Sequence, residues 1–69
     1  MENDTIRKTA QFFKDEKQSV HISLNNFLFN NGIIKNVEVD FLIIDDERHG
    51  EIPVFFSEIY NIEPREEKK

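Results

Sequence analysis

From Thr5 to Lys17 the apolar residues Ile6, Ala10 and Phe13 recur at intervals of three and four, with Thr9 and Phe12 widening the stripe. That spacing places side chains on one face of an α-helix, and Asn3 or Asp4 is positioned to cap its start. After Lys17 the period drops to two. Val20, Ile22 and Leu24 alternate with His21 and Ser23 as a half-buried strand requires, which turns His21 toward solvent or a neighbouring strand. Asn25-Asn26 is a turn signal, because asparagine tolerates left-handed backbone and bonds locally. Phe27 to Asn30 then opens a second strand. Asn30-Asn31-Gly32 has the look of a hairpin, yet Ile33, Ile34, Val37 and Val39 carry the strand pattern onward without an intervening loop. The spacing predicts one long strand that bends at Gly32, since a glycine inside a strand marks a bend or a close backbone approach.

Phe41-Leu42-Ile43-Ile44 follows as a short third strand, and Asp45 to Gly50 is a charged loop. Glu51 to Ile59 reads as a fourth strand, with Ile52, Val54 and Phe56 on one side and Pro53, Phe55 and Ser57 on the other. Pro53 assigns it to a strand start or a sheet edge. Ile59 and Ile62 make a short fifth strand that Glu63-Pro64 ends, and Arg65 to Lys69 is a charged tail. The pattern is mostly β, with one N-terminal helix.

Composition narrows what such a chain can do. Sixty-nine residues sit near the lower limit for a self-sufficient core, and with no cysteine neither a disulfide nor a thiolate zinc site is available to reinforce it. Self-association is the remaining common support at this size. No run of apolar residues approaches a membrane span, so a cytoplasmic address with no membrane contact is expected. The net charge of −5 is unevenly placed: residues 18–62 carry seven acids against Lys35 and Arg48. A phosphate-binding protein normally shows the opposite balance. Arg7, Gln11 and Lys14 nevertheless share one helix face, either as a solvated surface or as a basic contact for nucleic acid.

Catalytic organisation is lacking. Ser19, Ser23 and Ser57 fall in no recognisable activating arrangement, and there is no glycine-rich phosphate loop, so no enzyme activity and no cofactor are expected. Asp45, Asp46, Glu47, His49 and Glu51 form an acidic cluster, but without the alternating spacing and turn glycine of a dedicated calcium loop. No metal site is expected there.

A helix followed by five short strands, with a glycine bend in the second, resembles the Sm and Hfq-like barrels. Leu24 and Gly32 stand at the separation of that family's first motif, with Asn26 at its turn position and Ile34 two residues after the glycine. The family's glycine after the turn asparagine is replaced by Phe27. Phe41 to Asp46 resembles the family's third strand, while Val54, Ile59 and Ile62 match the apolar spacing of its second motif and Phe55-Phe56 replaces Arg-Gly. Another small barrel of the SH3 type has similar strand lengths and stays open as an alternative.

The resemblance implies a strongly bent, five-stranded antiparallel Sm-like barrel behind the helix, spanning residues 1–64 as a single domain. Within it the helix falls at about 4–17 and the barrel at about 19–63, and 65–69 form the tail. It also implies a homo-oligomeric ring, because family members pair the fourth strand of one subunit with the fifth of the next and so remove the exposed edges. Val54, Phe55, Phe56, Ile59 and Ile62 are the subunit-interface candidates; seven phenylalanines exceed what so small a core needs. Family members that bind uridine-rich RNA hold a base with Asp and Asn and stack the second-motif arginine over it. Here Glu38 and Phe41 stand nearest the first pair, and Phe55 stands for the arginine. The RNA-binding candidates are therefore Arg7, Gln11, Lys14, Phe41 and Phe55, with single-stranded RNA as the implied partner. The alternative is an oligomeric protein-interaction module that keeps the barrel and lacks an RNA site.

Overall fold

The computed structural model describes residues 2–65. Helix α1 (Glu2–Glu16) precedes strands β1 (Ser19–Leu24), β2 (Phe29–Val37), β3 (Phe41–Asp46) and β4 (Gly50–Phe55), a short 3₁₀ turn (Phe56–Glu58) and β5 (Ile59–Pro64). Because α1 begins at Glu2, Asn3 and Asp4 lie inside it rather than capping it. Nothing in this stretch breaks a helix, and an acid such as Asp4 in the first turn suits the positive end of the helix dipole. The helix stops at Lys17, which takes a left-handed conformation with φ 54°. Lys17 N–H donates to Lys14 O and Gln18 N–H to Phe13 O, both at 3.1 Å. This is a Schellman ending, with lysine where glycine is usual.

The strands form an antiparallel sheet in the order β4-β3-β2-β1-β5, open between β4 and β5. At the β1–β2 hairpin, Phe27 N–H donates to Leu24 O (3.1 Å) and Leu28 N–H to the Asn26 side-chain oxygen (3.1 Å). The turn therefore runs on past Phe27, and β2 starts at Phe29, two residues later than the apolar pattern suggests. The bend in β2 falls where the sequence places it. Gly32 pairs with Val20 of β1 and with Asp46 of β3. A Cβ on Gly32 would stand 2.0 Å from the Asp45 carbonyl oxygen, so no side chain fits. A register shift between Ile34 and Asn36 adds to the curvature. β2 ends at Val37, short of Val39, because Glu38 N–H donates to Phe41 O (2.8 Å) and closes the next turn.

One face of this bent sheet, together with α1, encloses the core. Val20 and Ile22 of β1, Ile34 of β2, Leu42 and Ile44 of β3, Val54, Phe56, Ile59 and Ile62 all pack there with Ala10 of the helix, and Ile6 and Phe13 close over them. Burying a side chain of this size contributes about 1.5–3 kcal/mol relative to leaving it in water. Phe12, expected to widen the helix's apolar stripe, is instead exposed and meets Phe13 edge-on, with ring centres 5.4 Å apart. The fourth strand ends at Phe55 rather than Ile59. Phe56 N–H donates to Asp40 O (2.9 Å), and the 3₁₀ turn carries its ring into the core before β5 begins.

The 2.0 Å approach at Gly32 yields a sharp expectation. Gly32→Ala forces β2 and β3 apart and costs about 3 kcal/mol or more. Thermal unfolding followed by circular dichroism checks this; an unchanged melting temperature contradicts the close approach.

Candidate functional site

The described residues divide into three surfaces that carry chemistry: the β3–β4 turn, the positions resembling Sm-like contact residues, and a groove beside the β1–β2 hairpin. At the turn, the strand reaches Asp46 rather than stopping at Ile44, and the loop shrinks to the residues between Asp46 and Gly50. The Asp46 carboxylate, 4% exposed, causes this. It accepts from Arg48 N–H (2.7 Å), His49 N–H (3.0 Å) and the Asn30 side-chain amide (2.9 Å), with His49 Nδ1 at 3.2 Å. Burial pushes its pKa up, but the hydrogen bonds from Asn30 and from the backbone of Arg48, His49 and Asn31 outweigh that and hold it at about 2. Asp46 is thus a turn-locking group. Among the described residues, no three of His, Asp and Glu converge to hold a metal ion.

The residues named from the sequence as RNA candidates fall on two surfaces. Arg7 and Gln11 are exposed on α1, Lys14 is half-buried in its last turn, and the Gln11 amide donates to Asp15 (3.0 Å). Phe41 and Phe55 are cross-strand partners whose ring centres stand 5.5 Å apart. Their strand neighbours Leu42 and Val54 point into the core, so this pair occupies the other face of the sheet from the core and α1. The fold does not bring the basic helix face and the aromatic pair together.

The interface candidates divide similarly. Val54, Phe56, Ile59 and Ile62 are buried in the core, so their side chains are not offered to a neighbouring subunit. Phe55 is 47% exposed and is offered. What β4 and β5 present at their outer edges is backbone. Phe56 N–H donates to Asp40 O just ahead of β3, and Arg65 N–H to Ser19 O of β1. Alternation then turns the nitrogens of Pro53 and Pro64 outward, where proline has no donor to give. Each free edge lacks one hydrogen bond that another strand would use.

The groove is a feature that the apolar pattern alone does not flag. It is about 570 Å³ in volume and lined by His21, Ser23, Leu24, Asn25, Phe27, Leu28, Phe29 and Tyr60. Phe27 stands 96% exposed with φ 71°, at the turn position where the Sm-like pattern has glycine. A bulky residue held in that region costs roughly 1–3 kcal/mol and marks a position worth a functional explanation. Tyr60, 75% exposed, falls at a register shift: Asn61 pairs with Ser23 and Ile59 with Leu24, leaving Tyr60 unpaired and turned outward. His21 forms one wall, 2.6 Å from the Asn31 side-chain oxygen and with its ring 5.3 Å from that of Phe29. Two signals in the chain pointed here: a phenylalanine in a glycine's place, and Ile59-Tyr60-Asn61-Ile62 spacing its isoleucines by three instead of two.

A helix over one side of a five-stranded, sharply bent antiparallel sheet in this order is the Sm-like fold. A solved structure that shows it is that of Hfq, described as a pleiotropic translational regulator. It matches with a TM-score of 0.74 over 84% of this chain and 95% of that one, at 14% sequence identity. No family model matches the chain, and no curated protein matches its sequence.

Two outcomes test the geometry of these surfaces. Because the folded pKa of Asp46 lies below its ordinary value, its stabilisation is complete above about pH 4 and is lost as pH falls toward 2. Melting temperatures of the protein and of Asp46→Asn measured across this window should converge at the acid end; a constant difference contradicts the assignment. Phe27→Gly removes the left-handed strain and raises stability by about 1 kcal/mol, or roughly 4–8 °C in a domain of this size. A lower melting temperature means that the ring supports the hairpin.

Proposed function

We propose that this chain is a ring-forming Sm-like subunit with an RNA-associated role, binding short single strands. The observation that carries the reading is the pair of unpaired edges, β4 and β5, at opposite ends of an Hfq-like sheet. Such edges join head to tail, and a rotation that closes gives a ring. The outward prolines each remove one hydrogen bond from this pairing, and side chains such as Phe55 add to the contact. RNA contacts are assigned to Arg7 and Lys14, with Gln11 between them, as phosphate and polar contacts on the helix face. The Phe41–Phe55 pair is a separate platform on which a base can stack for ~1–3 kcal/mol.

A second reading, an oligomeric protein-interaction module without an RNA site, is favoured by one observation: residues 18–62 carry seven acids against two bases. Salt separates the two. Binding of a fluorescent single-stranded RNA through Arg7 and Lys14 should weaken as salt rises, with a slope of log K on log salt of about −1.4 per subunit engaged. The Arg7→Glu/Lys14→Glu variant should lose that binding, and retained binding removes the helix face from the account. Phe55→Asp should lower the solution mass by sedimentation while keeping the fold. An unchanged mass places Phe55 away from the subunit boundary.

A further inference from the structure

The hairpin groove is separate from both assigned RNA surfaces, and its chemistry differs from theirs. Phe27, Leu28, Phe29 and Tyr60 are exposed large apolar side chains that stand together around one depression. A contiguous patch of that kind on a small protein marks an interaction site, whereas scattered exposed apolar residues do not. Its volume of about 570 Å³ lies within the range of clefts that seat ligands. None of its lining residues is lysine or arginine.

The charges along its β1–β5 side are acidic. Glu63 stands opposite His21 in the β1–β5 ladder, and the carbonyl of Glu58 accepts from Asn25 N–H (2.9 Å) at the groove's end. Further along the same sheet face, Asp45 pairs with Ile33, while the Arg65 guanidinium is taken by Glu47. A phosphate backbone laid along this groove would find no lysine or arginine among its lining residues, Arg48 reaching it only at the edge beside Phe29. A basic peptide would meet Glu63 beside His21 and the exposed Glu58 next to Asn25.

We infer that the groove docks a short segment of another protein that seats large apolar side chains against Phe27, Leu28 and Tyr60 and sets lysines or arginines against Glu58 and Glu63. This inference does not depend on the RNA reading, which uses other residues. It also accounts for two local irregularities together. The left-handed backbone at Phe27 holds an aromatic ring out at the hairpin tip, and the register shift turns Tyr60 toward the same depression.

The test is selection from a displayed random-peptide library on the 69-residue chain, with the Leu28→Asp variant as counter-selection. Selected peptides are then titrated into the isotope-labelled protein and followed by amide chemical shifts. The expected peptides carry leucine or phenylalanine flanked by lysine or arginine. They should shift the hairpin and Tyr60 amides and lose roughly tenfold or more in affinity on Tyr60→Ala and on Glu58→Lys/Glu63→Lys. These residues are exposed, so the variants should keep the parent circular dichroism spectrum. Four results overturn the inference. They are a failure of peptides to enrich over Leu28→Asp, and an affinity unchanged by the charge reversal. The third is a short single-stranded RNA that shifts the groove amides, which assigns the groove to RNA. The fourth is a native mass of Leu28→Asp below that of the parent, which assigns the face to a second copy of the chain.

Discussion

The backbone of β2 at Gly32 comes so close to β3 at Asp45 that a single added carbon would stand 2.0 Å from a carbonyl oxygen. That approach lets one strand serve two neighbours, β1 through residues up to Ile33 and β3 from Gly32 onward. The sheet turns at the shared point and wraps around ten buried apolar side chains. Asp46, the next residue along β3, then fastens the following turn through Asn30 and the backbone of Arg48 and His49. The bend and the turn are therefore one construction, and the position of β4 at the sheet edge follows from it.

What remains outside that construction is apolar surface. Of the seven phenylalanines only Phe56 is fully buried; Phe12, Phe27, Phe29 and Phe55 are exposed. A core of this size has no room for more aromatic volume, because the inward positions of the strands are already filled by isoleucine, leucine and valine. The surplus collects at the β3–β4 pair and around the hairpin groove. Each edge carries one outward proline, which removes one hydrogen bond and discourages indiscriminate strand addition.

Much of the fold was legible in the chain. The change from a period near 3.6 to a period of two separates α1 from the sheet, Gly32 locates the bend, and Pro53 assigns β4 to an edge. Boundaries were less legible, for reasons that are tertiary: Phe56 is drawn into the core by a hydrogen bond to Asp40, and Asp46 is claimed by its own turn. The candidate sites were only partly legible. Alternation says that Val54 and Phe55 differ in direction, but not that Val54, Ile59 and Ile62 are consumed by one core. Nor does it reveal that Phe27 and Tyr60, distant in sequence, border one groove, since that depends on the β1–β5 register.

The central claim, that this Sm-like chain is built to close with copies of itself, is tested most directly by native mass spectrometry of the unmodified protein at low salt. The account predicts one closed assembly of several subunits without a ladder of intermediate sizes, since head-to-tail pairing of β4 with β5 leaves no free edge once the ring is complete. A monomer across the concentration range, or an open series of sizes, contradicts it.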